Sequence, residues 1–487
     1  MQRRVRQTTL VFWLCVAFLV GVGLAHRGWL AEASWSLLAG GIALVLLRRK
    51  NTWTLLAVAL FGLSLGWWRG SVYMQHLATF QDYYGHKVTI VATAGEDATY
   101  DSHKQLTFDT HNVVIKGTGQ ILTGKVGISG FGVPAVFAGD TMQASGKLYP
   151  GRGSYQAKIS FAAIDIVQSG HQLVPELRRR FVAGMQSALP EPLASFGMGL
   201  LIGQRANLPD AVYQSLLMVG LVHIIAVSGY NLTIILRASK GLLSKYSRRL
   251  SLLLAFALIG VFLLFAGAGA SIVRAAIVSI LSLLAAYYGR SVKPLVLIIL
   301  AAAITAWANP YYVWTDVSWY LSFLAFFGVM IVAPMILVRM PQRWQSSLVL
   351  TVGLESLCAE LMTLPYILHI FGQMSFMGLL ANVLVVALVP LAMLLCLVAG
   401  LAGMLVPAIA GWLAWPAVLL LTYMLDIANI LSRIPHVFVQ GLKFSLVELL
   451  LVYSLLSLVV WSLWHKLNHA QLQVVEEQAI GSLPKQR

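Results

Sequence analysis

Charged side chains are scarce in this chain of 487 residues: Asp, Glu, Lys and Arg make up 11% of it, and 59% is apolar. Soluble globular proteins carry about 25% charged residues, so the composition excludes a soluble class. The long apolar runs indicate a membrane protein instead. Their length fits α-helices, in which every backbone polar group is hydrogen-bonded within the segment.

Cysteine and catalytic signatures are also nearly absent. Cys15, Cys358 and Cys396 stand singly in apolar segments, which excludes a disulfide framework and zinc-ligand spacing. The sequence has no HExxH, no GxSxG and no metal-type His/Asp cluster. A Walker-like string at 119–125 is followed by Val126 in a predicted strand, so it lacks the Ser/Thr and the helix of a phosphate loop. We expect no enzyme, no metal and no cofactor, with transport energy supplied by a partner or a gradient.

The net charge of +16 is unevenly distributed. Residues 1–69 hold eight Lys and Arg against one acid, residues 173–253 hold nine against three, and residues 70–172 hold seven of each. Lys and Arg accumulate in the cytoplasmic loops of membrane proteins. We therefore predict that residues 70–172 form a domain outside the cytoplasm.

Residues 1–69 are predicted to form N-terminal transmembrane helices, with spans at 10–25, 35–47 and 53–68. The first is interpreted as a retained helix because two more spans follow at once. In residues 70–172, short β-rich runs alternate with turns. The predicted strands are residues 87–93, 106–115, 121–128, 141–148 and 157–167. Five short strands fit a small β-barrel such as an OB-fold.

Residues 173–192 place apolar side chains at four-residue spacing beside three arginines, which predicts an amphipathic connecting helix. Residues 193–465 form a second helical block, and residues 466–487 a short polar tail. The predicted spans of this block lie near residues 211–236, 250–266, 271–288, 294–308, 318–338, 347–370, 374–402, 405–432 and 444–464. The expected fold is a polytopic α-helical membrane protein with an inserted, extracytoplasmic, OB-like β-barrel.

Polar residues inside spans are the candidates for function, because a charge at the bilayer centre costs at least about 2.5 kcal/mol and usually faces protein or water. Arg274, Glu355 and Glu360 are the clearest cases. Asp316 lies at the outer end of its own span, at a depth where it can pair with Arg274. A structural lock between helices explains such a pair as well as a pore-lining role does.

Two further segments carry polar groups within apolar runs. His223, Ser228 and Asn231 occupy one predicted span, and the Ser228-Gly229 pair is able to interrupt its helix. A hydrogen-bonded His in a helix bundle is the commoner role for His223. Asn382 lies in the outer third of a later span. The outer depth of His223, Arg274, Asp316, Glu360, His369 and Asn382 predicts a polar external vestibule.

Four ordered strings in this block resemble the ComEC competence family, the inner-membrane channels through which transformable bacteria take up single-stranded DNA. Gly220 to Gly229 matches G-L-x-H-x-x-A-x-S-G, and Ser271, Arg274 and Ala275 match S-x-x-R-A. Asp316 with Leu321, Ser322 and Phe323 matches D-x-G-F-Q-L-S-F. The last string comprises Thr363-Leu364-Pro365, Phe371-Gly372, and Gly378 with Asn382, for T-L-P, F-G and G-x-x-x-N.

The chain also departs from the family pattern. Asn231 stands where a His is usual, Ser318, Trp319 and Tyr320 replace G-F-Q, and Ala387 replaces a proline. Many relatives continue into a metallo-β-lactamase-like domain, but no H-x-H-x-D-H string occurs in this sequence. The resemblance therefore implies that a separate nuclease degrades the second strand. A separate DNA receptor and a cytoplasmic translocation ATPase are the other implied partners, beside single-stranded DNA and the bilayer.

The resemblance implies a cytoplasmic-membrane channel that imports single-stranded DNA during natural transformation. The implied DNA-path residues are His223, Ser228, Asn231, Arg274, Asp316, Ser322, Glu355, Glu360 and Asn382. Two other functions remain open from the residues alone. In a secondary transporter of a small solute, Glu355 and Glu360 relay ions or protons. In a membrane scaffold, the β domain recruits partners.

Overall fold

The computed structural model describes most of the chain. The described residues are 6–26, 40, 52–95, 97–100, 105–122, 124–132, 136–151, 155–170, 173–203, 208–225, 232, 236, 239, 245–266, 270–290, 293–345 and 347–481. Of the predicted span at 35–47, only residue 40 is among them. The chain divides into two compact units. The first comprises Met1–Pro209, His223–Tyr320 and Pro390–Thr422, and the second Asp210–Val222, Leu321–Val389 and Tyr423–Arg487.

Helices dominate both units. Up to the middle of the chain they are α1 (Gln7–Ala25), α2 (Thr52–Gln81), α3 (Leu173–Ala188), α4 (Leu193–Ile202), α5 (Asp210–Met218), α6 (Arg248–Ala266), α7 (Ala270–Tyr287) and α8 (Pro294–Ala308). The later ones are α9 (Tyr311–Thr315), α10 (Val317–Phe327), α11 (Ala333–Leu337), α12 (Gln342–Gln345), α13 (Leu348–Ile370), α14 (Gly378–Val385), α15 (Val389–Leu405), α16 (Pro407–Ser432) and α17 (Leu446–Gly481).

Six helical stretches among the described residues are long and apolar enough to cross a bilayer. They are Gln7–Ala25, Trp53–Gln81, Val317–Leu337, Gly378–Leu405, Pro407–Ser432 and Leu446–His465. By length and composition, the chain is a multi-pass membrane protein. The stretch Val317–Leu337 includes a π-helical turn, Gly328–Val332.

Glycine allows α1 and α2 to pack at backbone contact. A Cβ at Gly66 would come within 2.0 Å of the Phe18 carbonyl oxygen. Arg69 then joins α2 to the end of α8, because its guanidinium donates to the carbonyls of Trp307 (3.0 Å) and Ala308 (3.3 Å). These are carbonyls that a helix C-terminus leaves without internal partners.

The region after α2 is a β domain. Its strands are β1 (Lys87–Ala94), β2 (Thr99–Tyr100), β3 (Leu106–Ile115), β4 (Ile121–Leu122), β5 (Val126–Gly132), β6 (Thr141–Pro150) and β7 (Ala157–Gln168). The sheet order is β1-β6-β7-β5-β3-β2, with β4 beside β3 and a further pairing of β1 with β3. The β5–β7 pair is parallel, and the other pairs are antiparallel.

The predicted strand at 121–128 is two strands. Ile121–Leu122 pairs with β3, and the chain then turns through Gly124 at φ +135° before β5 begins at Val126. A Cβ at Gly124 would also meet the Gln156 side chain at 2.5 Å. The glycine permits a conformation that other residues rarely adopt, and this conformation divides the run.

The last turns of α2 belong to the β domain. Leu77 and Phe80 are buried in the core that the strands form, so the helix continues past the predicted boundary at residue 70. Gln156 donates to the Tyr73 hydroxyl (2.7 Å), and Tyr311 donates to the Gly151 carbonyl (3.2 Å). This end of the β domain therefore sits on α2 and α9.

The predicted connecting helix is observed as α3. Arg179 lies 3.8 Å from Asp97 and stacks over Phe137, both in the β domain. On the same helix, Gly184 contacts the α15 backbone, since a Cβ at Gly403 would come within 1.9 Å of the Gly184 carbonyl. α3 therefore packs on both the β domain and α15.

The second unit contains a break in its helical pattern. A short ribbon of β8 (Gln373–Ser375) and β9 (Phe438–Gln440) precedes α14, so the predicted span at 374–402 begins as a strand. The predicted span at 211–236 is interrupted as well: α5 ends at Met218 and Gly220 has φ +76°. Non-helical backbone at membrane depth must be buried in protein or line a cavity.

Candidate functional site

Arg274 on α7 and Asp316 before α10 form a buried ion pair in the first unit. Their exposed fractions are 1% and 5%, and the Arg274 Nη1 to Asp316 Oδ2 distance is 3.9 Å. Asp316 Oδ1 accepts hydrogen bonds from the backbone N–H groups of Ser318 (2.9 Å) and Trp319 (3.3 Å). Asp316 thus caps the N-terminus of α10, the position where carboxylates are preferred.

The hydrogen bonding of this pair is incomplete. Arg274 Nη2 donates to the Ser318 carbonyl at 2.9 Å and approaches the Ser318 hydroxyl at 3.4 Å. Arg274 Nε, Arg274 Nη1 and Asp316 Oδ2 have no hydrogen-bond partner among the described residues. Buried charges without full hydrogen bonding cost several kcal/mol, so the pair is held at an energetic cost.

The three residues that replace G-F-Q lie just after Asp316 and position the start of α10. Ser318 supplies the carbonyl that Arg274 binds. Trp319 Nε1 donates to the Thr305 hydroxyl on α8 (3.0 Å), and the Tyr320 hydroxyl donates to the Val313 carbonyl on α9 (2.6 Å). The start of α10 is therefore tied to two neighbouring helices.

A second set of buried polar groups lies in the second unit around the start of α14. Glu360 Oε2, Ser375 Oγ and Asn382 Oδ1 are buried and have no hydrogen-bond partner among the residues described. We call these three residues the Glu360 cluster. A Cβ on Gly378 would come within 2.7 Å of Glu360 Oε1, which places the acid directly against the first residue of α14.

The surroundings of the Glu360 cluster bring separate segments together. Gly220 approaches Gly378 and Ser375, each 3.4 Å from the position of its Cβ. Asn382 follows Gly378 by one helical turn, on the same face of α14. Pro365 lies inside α13, five residues after Glu360, and lacks the donor for the preceding turn. The family strings around 220 and 378 therefore meet next to Glu360, which lies one helical turn before the string at 363.

The other predicted residues have different surroundings. His223 is exposed on a 3₁₀ turn, Val222–Ile224. Ser322 lies on α10 and Glu355 on α13, both half-buried. Ser228 and Asn231 lie outside the described residues. Ser318 and Ser375 were not predicted: Ser318 acts mainly through its carbonyl, which no side-chain pattern reveals.

The structure also locates His369, one of the residues predicted for the external vestibule. His369 at the end of α13 lies 2.9 Å from the Phe444 carbonyl through Nδ1. Within the described part of the chain, no group of three or more His, Cys, Asp or Glu is placed to hold a metal ion.

The helices and the two buried polar sites define a multi-pass membrane protein with polar groups held in its interior. The family model described as Competence protein matches residues 200–466, more than half of the chain. The chain therefore belongs to the Competence protein family, which confirms the resemblance. Both Arg274–Asp316 and the Glu360 cluster fall within the matched residues.

Among curated proteins, the chain is similar to ComE operon protein 3 of Bacillus subtilis (strain 168). The two are 25% identical over 215 residues, which cover 44% of this chain and 27% of that protein. The match thus spans about a quarter of the relative's length. No solved structure matches the chain.

Proposed function

We propose that this protein is a DNA-uptake permease of the cytoplasmic membrane. Membership of the Competence family supports a role in DNA uptake during competence. In this proposal the β domain receives DNA outside the cytoplasm and the helical block of residues 193–465 passes one strand inward. The DNA receptor, translocation ATPase and nuclease are separate partners.

The incompletely bonded Arg274 is the observation that carries the proposal. A guanidinium that is 1% exposed keeps two nitrogen atoms without hydrogen-bond partners among the described residues. Intramembrane charges of this kind generally serve a substrate or ion pathway. Phosphate oxygens are strong acceptors for guanidinium donors, so a passing strand satisfies the bonds that Asp316 leaves open.

The strand pairings support an OB-like barrel. β1 pairs with β6, β6 with β7, β7 with β5, β5 with β3, and β3 again with β1. Each of the five long strands thus has two partners, which is the condition for closure. Leu77 and Phe80 of α2 are buried in the same core as the strand residues. We assign residues 70–172 to this extracytoplasmic domain.

The charge distribution supports the extracytoplasmic position. Arg237, Lys240, Lys245, Arg248 and Arg249 follow the first span of the second block, and Arg290 with Lys293 follow two spans later. Placing these loops in the cytoplasm leaves the electrically balanced β domain on the other side of the membrane.

The Glu360 cluster favours a second candidate, a transporter of a small solute. A half-buried acid beside a helix N-terminus and two neutral polar groups is a suitable site for a cation or a proton. Glu355 lies on the same helix. In this alternative, the cluster couples solute movement to an ion gradient.

Uptake of labelled DNA into a nuclease-protected pool tests the proposal. We expect a strain lacking the protein to take up none, and a strain with Arg274→Ala at normal abundance to lose most uptake. Arg339→Ala is the matched control, because Arg339 also binds backbone carbonyls, those of Met335 and Leu463, but is exposed. Normal DNA entry in the deletion strain would exclude the permease and favour the solute transporter.

A further inference from the structure

The β domain segregates its charges although its sequence is balanced. Asp109 binds Lys125 at 2.8 Å, and Asp97 lies 3.8 Å from Arg179. Asp140 is buried and accepts from the backbone N–H groups of Phe137 and Gly170 (both 2.8 Å). These three acids are engaged by partners of their own, so they contribute little to the external field of the domain.

Three of those lysines share one outer wall. Lys87 on β1 is the cross-strand neighbour of Lys147 on β6, and Tyr149 on β6 is the neighbour of Lys158 on β7. All four side chains are exposed, and none of the three lysines forms an ion pair with a described residue. Lys147 also lies over the Tyr149 ring, 5.8 Å from its centroid.

A strained phenylalanine adds an aromatic ring to this wall. Phe161 is 73% exposed and has φ +55°, a conformation in which a bulky residue is an outlier. It occupies a bulge in β7, where the register with both β6 and β5 shifts. Such strain at an exposed apolar ring does not favour folding, so an external contact is its physical explanation. Phe131, 51% exposed, lies on the adjacent β5.

We infer that this lysine wall, formed by Lys87, Lys147, Tyr149, Lys158 and Phe161, binds single-stranded DNA before it reaches the helical block. The inference rests on the proposed function and adds the contact surface. Single-strand binding combines cations along the backbone with aromatic rings on which bases stack. From β1 to β5 the wall crosses four strands, about 15 Å. Thr89 and Ser145, hydrogen-bonded to each other at 2.9 Å, make it polar rather than a lipid-facing surface.

The lysine wall differs from the face that most OB-folds use for oligonucleotides. In OB-folds, oligonucleotides generally use the face of the second and third strands, which here are β3 and β5. Lys125, which precedes β5, is neutralised by Asp109, and Lys116, which follows β3, donates to Gln143 on β6. Among the described residues of the domain, two acids lie near the lysine wall. Asp165 on β7 is the cross-strand neighbour of Gln143, and Asp82 lies in the turn before β1.

Binding of a fluorescent oligothymidylate to the full chain in nanodiscs tests the inference, with affinity measured over a range of salt. The triple variant Lys87→Gln, Lys147→Gln, Lys158→Gln is expected to bind more weakly. The slope of log affinity plotted against log salt concentration should decrease in magnitude by about 2, since each phosphate contact contributes about 0.7. Phe161→Leu is expected to lose about tenfold in affinity, and Phe161→Trp to retain it. Lys125→Gln is the matched control and should keep the wild-type slope.

Lysine acetylation followed by mass spectrometry provides a readout that needs no variant. The oligonucleotide is expected to protect Lys87, Lys147 and Lys158 in the wild-type chain, but not Lys125. A triple variant with the wild-type slope, or a loss confined to Lys125→Gln, would overturn the inference. Protection by anionic lipid discs alone would overturn it in favour of a membrane contact. The two proposals can fail separately. If the purified chain binds the oligonucleotide as expected but a strain lacking the protein still takes up DNA, the permease is rejected and the binding wall is retained.

Discussion

The two buried polar sites differ in how their charges are balanced. In the first unit, Arg274 faces an acid of opposite charge that also caps a helix. In the second unit, Glu360 lies among neutral groups, the hydroxyl and amide of Ser375 and Asn382, and against a helix N-terminus. An ion pair depends on both members, whereas a single acid in neutral surroundings can be replaced by its amide without leaving a charge behind.

The largest effect is expected from Arg274→Ala. The substitution leaves Asp316 buried without its cation, and breaking one side of a buried pair costs about 3–5 kcal/mol. The free energy of unfolding in nanodiscs should fall by about this amount, together with DNA uptake.

The double variant Arg274→Met, Asp316→Asn is its control. Both charges are removed and Asn still caps α10, so most of the lost stability should return. Uptake should remain absent. If uptake returned with stability, the pair would be a structural lock and not a part of the DNA path.

The next effect concerns the segment that reaches the Glu360 cluster. Gly220→Ala places a side chain at φ +76°, at a cost of about 1–2 kcal/mol. Unfolding should show this loss. Gly260→Ala is the matched control, because Gly260 lies in α6 with no heavy atom within 4 Å of its Cβ position. We expect Gly260→Ala to leave stability unchanged or to raise it, and equal losses in both variants would contradict the role of φ.

A smaller effect is expected from Glu360→Gln. No ion pair involves Glu360 among the described residues, and the amide has the same shape, so unfolding should change by less than about 1 kcal/mol. A loss above about 3 kcal/mol would show that Glu360 has a charged partner and would remove the contrast with Asp316. Ion-dependent uptake of a small solute that disappears in this variant would instead support the transporter.

The smallest effect is expected from Ser318→Ala. The backbone carbonyl remains as the acceptor for Arg274, and only the 3.4 Å hydroxyl contact is lost. The free energy of unfolding should fall by about 0.5 kcal/mol or less. Trp319→Phe provides the comparison, since it removes the buried bond to Thr305 and should cost about 1 kcal/mol. If Ser318→Ala were the more costly of the two, the hydroxyl would have to be the main partner of Arg274.

The membrane helices could largely be predicted from the sequence because hydrophobic length determines them. The predicted span at 294–308 coincides with α8, which begins at a proline and ends before Asn309. The family strings contain Arg274, Asp316 and Asn382, whereas Glu360 was singled out as a charge inside an apolar span. Arg274 and Asp316 were expected at a similar depth, and the structure places them 3.9 Å apart.

The remaining features depend on backbone conformation and on tertiary contacts. The end of α5 at Met218 follows from Gly220, whose positive φ is not visible in an apolar run. The β8–β9 ribbon joins segments more than 60 residues apart in sequence. The wall of Lys87, Lys147 and Lys158 likewise requires strand register, since the net charge of the whole region is zero.

The continuation of α2 into the β domain has a consequence for preparing that domain alone. Because Leu77 and Phe80 belong to its core, a soluble fragment beginning at residue 82 would present an uncovered apolar opening and tend to aggregate. A fragment beginning before Tyr73 would keep Leu77 and Phe80 in the core, together with the hydrogen bond from Gln156 to Tyr73. Because α2 is one continuous helix from Thr52 to Gln81, no flexible linker separates the β domain from the membrane helices. A force applied to the domain is therefore transmitted directly to α2 and to α1, which packs against it.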